Sequence, residues 1–106
     1  MDKAIWTPSP ARIAGSNLQR FIKKVNEASD KDIGNYAQLY EWSIGETEEF
    51  WPEVWNFCGI RASRRWETVL VGGDRMPGSH WFVGARLNFA ENLLRREDDR
   101  TAILFR

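Results

Sequence analysis

Cysteine and histidine are almost missing from this chain of 106 residues, each occurring once, as Cys58 and His80. A single thiol closes no internal disulfide, which removes the disulfide-stapled secreted folds. One histidine and one cysteine, without a second of either at ligand spacing, leave a zinc site short of donors. An excess of one charge is lacking too: fifteen Lys and Arg stand against fifteen Asp and Glu. A balanced chain has little summed field with which to attract a polyanion, so no nucleic-acid partner is expected. Long apolar runs are also wanting. Nothing approaches the roughly eighteen to twenty residues that a bilayer crossing takes, and the first thirty hold no apolar core of a secretory signal. The expectation is therefore a cytoplasmic chain with no membrane partner, without internal repeats or low-complexity tracts.

Large rings are plentiful by contrast. Six tryptophans and six phenylalanines bring more apolar area than a chain of this length hides easily, since small domains bury a smaller share of their surface. The length suits one modest domain. The favoured reading is that the rings simply make its core; the alternative is that some of the aromatic surface meets another domain.

Residues 1–15, "MDKAIWTPSPARIAG", carry Pro8 and Pro10 among small and polar neighbours and read as an irregular lead-in. In "SNLQRFIKKVNEAS", Leu18, Phe21, Ile22 and Val25 recur at helical spacing, and Ser16 with Gln19 has the form of a capping box. Asn35 with Gln38 suggests a second box, for a helix over about 36–42 with Tyr36, Leu39 and Tyr40 on one side. "GETEEFWPEVWNFCG" predicts a third helix: Thr47 as cap, Glu48 and Glu49 at the positive end of the dipole, Gly59 as a left-handed stop. Its apolar stripe is Phe50, Val54, Phe57 and Cys58, and Pro52 is expected in the opening turn or at a kink. "WETVLV", residues 66–71, reads as a strand ending at Gly72 and Gly73, and "DRMPGS" as loop. Trp81 to Val83 is extended or irregular. Asn88 with Glu91 caps a helix running to about Arg95, and "TAILF", residues 101–105, has the character of a buried strand lacking an upstream partner of equal strength. The fold class is α+β, mainly α-helical with short β-strands.

Candidates for chemistry are few. His80 as a proton shuttle competes with a solvated loop histidine, and Cys58, without a basic partner, reads as a small core residue rather than a nucleophile. Glu46, Glu48 and Glu49 have a structural reason to sit at a helix start, which outweighs paired-carboxylate catalysis. Arg61, Arg64 and Arg65 form either a solvated turn or a phosphate grip. "VGGDRMPG" supplies glycines but neither the lysine nor the hydroxyl of a nucleotide loop.

Order then adds what composition does not. "YEWSIGETEEFW", residues 40–51, followed about thirty residues later by "WFVGARLNFAENLLR", residues 81–95, resembles the N-terminal region of acyl-CoA synthetases of the acetyl-CoA synthetase type. Within that family, "GARLNFAENLLR" is most similar to the acetoacetate–CoA ligases. The resemblance implies a fragment of a larger adenylate-forming enzyme: residues 16–100 as its N-terminal domain, and 101–106 as the start of the first strand of a missing AMP-binding domain, the expected partner within the same polypeptide. It also implies ATP, magnesium and CoA for the whole enzyme and none of them in this piece, because the family's phosphate loop, ribose-binding carboxylates and mobile lysine lie further along. No catalytic, cofactor-binding or metal-binding residue is assigned here. Trp81 and Phe82 are expected as packing anchors, Gly84 as a point of close backbone approach, and Leu93 and Leu94 as core-facing. The rival reading is a self-contained interaction module that uses exposed tryptophans. A weaker one lets Arg64 and Arg65 touch the CoA phosphate in the intact enzyme.

Overall fold

A computed structural model describes residues 3–106. The chain forms two compact units, one ending at Cys58 and the other spanning Gly59–Arg106. The buried hydrophobic cluster lies wholly in the first.

The first unit is helical: α1 (Pro10–Ala14), α2 (Asn17–Ser29), α3 (Tyr36–Gly45) and α4 (Thr47–Phe57). The lead-in is not wholly irregular, because the Ser9 hydroxyl accepts from the Arg12 N–H and Pro10, with no N–H to lose, opens α1. Ser16 caps α2 by accepting from the Gln19 N–H at 3.2 Å. Asn35 does the same for α3, and the Gln38 side chain answers one residue earlier than in a capping box, accepting from the Gly34 N–H at 2.7 Å. Thr47 corrects the sequence reading. It begins α4 without capping it, and its hydroxyl donates backward to the Ser43 and Ile44 carbonyls at the end of α3. Pro52 sits inside α4, beyond the opening turn.

The helical stripe of α2 buries Phe21, Ile22 and Val25 against Ile33, Leu39 and Trp42, with Phe50, Val54 and Phe57 packed on them. Val25 is wholly buried. Edge-on ring contacts knit the helices: Phe21 to Phe57 at 5.3 Å and Trp42 to Phe50 at 5.4 Å between centroids, a geometry favoured by ring quadrupoles. Asn26 fixes the α2–α3 connection, its amide donating to the Ile33 carbonyl and accepting from the Ile33 N–H, both at 2.9 Å. Cys58 departs from expectation and is exposed, since α4 ends at Phe57 and Gly59 turns the chain away at φ +62°.

The second unit is a two-stranded antiparallel ribbon with a short helix. β1 (Thr68–Val71) pairs with β2 (His80–Val83), Thr68 opposite Val83 and Leu70 opposite Trp81. Residues expected to be extended or irregular thus find a strand partner in the predicted one. The ladder resumes at an isolated bridge between Arg64 and Arg86, one residue out of register. An extra residue in one strand is the mark of a bulge. Gly84 sits there at φ +89°, and a Cβ on it would lie 3.2 Å from the Glu67 side chain, so the close approach expected of this glycine is present. Helix α5 (Phe89–Leu93) is capped by Asn88, which accepts from the Glu91 N–H, and stops short of the expected Arg95. Residues 101–105 form no strand, and Ile103, Leu104 and Phe105 are exposed. A strand needs a partner for its backbone groups, and none pairs with this segment among the described residues.

Candidate functional site

Several sequence candidates resolve into structural roles. Glu46 and Glu49 converge on Lys31 at 3.1 and 3.4 Å, tying the α2–α3 connection to the start of α4. The Glu46 carboxyl is held below its ordinary range by its hydrogen bond with the Glu49 carboxyl and then by the Lys31 ammonium. Lys31 is raised, chiefly by its hydrogen bond to Glu46, with desolvation opposing and the charges of Glu46 and Glu49 assisting. This is an ion-pair clasp on an exposed edge. Glu48 lies in the first turn of α4, where its charge suits the dipole.

His80 opens β2 opposite Val71 and is exposed. The glycine loop after β1 is filled by its own arginine: Arg75 carbons lie within van der Waals range of Cβ positions built on Gly72 and Gly78. Among the described residues no group of three His, Cys, Asp or Glu side chains could hold a metal ion.

The three arginines of "RASRRW" serve different purposes. The Arg61 backbone N–H donates to the Asn92 Oδ1 at 2.8 Å and its carbonyl accepts from the Asn92 Nδ2 at 2.8 Å. Arg64 forms an ion pair with Glu67. Arg65 stacks its guanidinium 4.3 Å from the Trp66 ring centroid, a contact favoured by the ring's negative face. The sequence reading missed Asn92. Its amide also donates to the Asn88 carbonyl at 2.9 Å, and the Arg95 guanidinium donates to its carbonyl and side-chain oxygens at 2.8 and 3.0 Å. The i, i+4 asparagines of "NFAEN" were the available signal, although they named no partner thirty-one residues away.

What stands out is apolar exposure in the second unit. Phe89 retains 79 % and Leu94 70 % of its accessible surface, and Leu93 is similar. The expectation that Leu93 and Leu94 face a core is corrected: in this chain they face solvent. Trp81 is also exposed, whereas Phe82 is half-buried and meets Trp66 edge-on at 5.1 Å. The Trp81 and Phe82 rings also lie beside each other, their centroids 6.5 Å apart. In the first unit, Leu18, Tyr36 and Tyr40 border an apolar groove of about 400 Å³ floored by Phe21, Leu39 and Phe57. Scattered apolar residues are ordinary on surfaces, but Phe89, Leu93 and Leu94, so exposed in and beside one short helix, make the second unit's candidate site of contact.

Residues 36–93 match the family described as acetyl-coenzyme A synthetase N-terminus. That is more than half of the chain, which belongs to this family. Over 104 residues it is 38 % identical to acetoacetyl-CoA synthetase of Danio rerio, a match covering 97 % of the chain and 15 % of that protein. It is 39 % identical over 94 residues to malonamoyl-CoA synthetase vrtB of Penicillium aethiopicum, covering 88 % of the chain and 13 % of that relative. A solved structure, acetoacetyl-CoA synthetase from Streptomyces lividans, superposes with a TM-score of 0.79 at 40 % identity, covering 89 % of this chain and 15 % of that one. The chain thus spans about 15 % of the length of the curated relatives it matches. No helix among the described residues is long and apolar enough to cross a membrane.

Proposed function

We propose that this chain is a supporting, non-catalytic N-terminal part of an AMP-forming acyl-CoA synthetase. In the whole polypeptide the acetoacetate carboxylate attacks the α-phosphate of ATP, giving an acyl-AMP and releasing pyrophosphate, and the CoA thiol then displaces AMP to give the thioester. ATP, magnesium and CoA are held by downstream residues, and the protein works in the cytoplasm in lipid metabolism. In this reading the downstream AMP-binding domain covers the apolar surface described above, and residues 101–106 enter it as a strand. The observation that carries the reading is a likeness to acetoacetyl-CoA synthetase extending over 97 % of the chain, joined to the exposure of Phe89, Leu93 and Leu94.

Acyl choice is not written in this segment, because a relative named for malonamoyl-CoA matches it as well as those named for acetoacetyl-CoA. The whole polypeptide is expected to catalyse ATP–pyrophosphate exchange with acetoacetate in preference to malonamate, and residues 1–106 alone are expected to catalyse none. Exchange by the short chain, or a continuing reading frame without a glycine- and hydroxyl-rich phosphate loop, overturns the proposal.

A further inference from the structure

Apart from His80, the basic residues of the second unit are all of one kind. Gly59–Arg106 holds nine arginines, no lysine and six carboxylates. Two of these arginines are placed against electrostatic preference. Arg64 and Arg86 are directly opposed across an antiparallel bridge, held there by the Arg86 N–H donating to the Arg64 carbonyl at 3.0 Å and the Arg64 N–H donating back at 3.3 Å. Directly opposed residues project to the same face of a ribbon, and like charges so placed destabilise the pairing. Glu67 meets Arg64, but no carboxylate meets the Arg86 guanidinium among the described residues. The chain continues from Arg86 straight into exposed Leu87 and Phe89.

This charged edge and the apolar helix are fixed to one another. Asn92, in α5, grips both backbone groups of Arg61, and the Ser63 N–H and hydroxyl both donate to the Arg86 carbonyl, at 2.8 and 3.2 Å. The result is a preformed surface of arginine and large apolar side chains, and preorganisation lowers the entropic cost of docking. Arginine and aromatic residues in place of lysine are the composition of protein interfaces. Arginine's planar fork suits a carboxylate in two-point contact.

We infer that Arg86, supported by Arg64, is the charged half of a docking surface whose apolar half is Leu87, Phe89 and Leu94, and that its occupant is the downstream part of the same polypeptide, presenting carboxylates opposite Arg86. The inference rests on the proposed function in one respect: by far the larger share of each relative lies outside the matched region. That share is what is available to cover the surface. Charge complementarity to the unpaired arginine selects an acidic rim on it.

The test is amide hydrogen exchange of residues 85–94 in the whole polypeptide, read for wild type, Arg86→Glu, Arg86→Lys and Phe89→Asp. Arg86→Glu and Phe89→Asp are each expected to lower protection at least tenfold, and Arg86→Lys by less. Raising the salt is expected to weaken protection in wild type but not in Arg86→Glu. Wild-type protection in Arg86→Glu, with loss only in Phe89→Asp, overturns the charged half. Protection unchanged in both variants overturns the docking surface, and protection that rises with protein concentration assigns the face to a second copy and overturns the occupant. ATP–pyrophosphate exchange by the same polypeptide judges the enzymatic reading separately: docking with no exchange leaves this inference standing and removes that one.

Discussion

Asn92 shows how much one side chain can organise. It spends its donors and acceptor on Arg61 and Asn88, so Asn92→Ala leaves several backbone groups to find water. The expected loss is about 1–3 kcal/mol of stability in the second unit, from net hydrogen-bond and desolvation costs, measured by urea unfolding. Lys31 and Glu46 make a second prediction, this time about pH. Glu46 is lowered from its ordinary 4.5, so its contribution is present above that value and is lost as pH falls through the lower folded value. Lys31 is raised from 10.5, so its contribution is present below that value and is lost as pH rises through the higher folded one. Thermal melts of Glu46→Gln are expected to show a shallower acid limb than wild type and little change at neutral pH, where an exposed pair contributes little. An unchanged acid limb counts against the clasp. The sequence made Glu46, Glu48 and Glu49 visible as a cluster. It could not name Lys31 as their hub, because only the α2–α3 turn brings that lysine within reach.

Helices were more legible than strands, for a reason visible in α2. Its stripe of Phe21, Ile22 and Val25 and its Ser16 cap lie within one turn or two of each other, so local sequence holds nearly all the information. The ribbon is different: β2 gains its identity from hydrogen bonds to β1, which no local window contains. Pro52 within α4 makes a test at this level. It removes one helical hydrogen bond, so Pro52→Ala is expected to raise the melting temperature of the first unit, by an amount bounded by the roughly 3 kcal/mol that an interior proline costs. Gly84→Ala works in the opposite sense. At φ +89° and 3.2 Å from Glu67, an added methyl is both strained and crowded, and a destabilisation on the order of 1–3 kcal/mol is expected from the backbone term. Two-dimensional NMR would show whether the β1–β2 cross-strand contacts survive.

The molecule as a whole sorts its aromatic residues unevenly. Phe21, Trp42, Phe50 and Phe57 close the helical core, whereas Phe89 and Phe105 lie open, the latter at 94 % exposure. Truncating Phe21 to alanine is expected to cost about 3–5 kcal/mol, as for other buried phenylalanines, while Phe89→Ala in the short chain is expected to leave its unfolding midpoint nearly unchanged. Equal losses from the two substitutions would contradict this division. The sequence favoured rings that simply make the core over rings left for a neighbour, and it placed Leu93, Leu94 and Cys58 indoors. A periodic apolar pattern states that a face is to be covered. It does not state whether the cover lies in the same chain.

By itself the amino-acid sequence determined the capped helices, the glycine stops, the α+β class and the family, because caps, φ preferences and ordered motifs act over a few neighbouring residues. Tertiary structure alone decided that two units form instead of one, that Arg86 stands opposite Arg64, and which rings remain uncovered. Those outcomes depend on contacts between residues tens of positions apart, whose pairing is fixed only when the chain closes on itself.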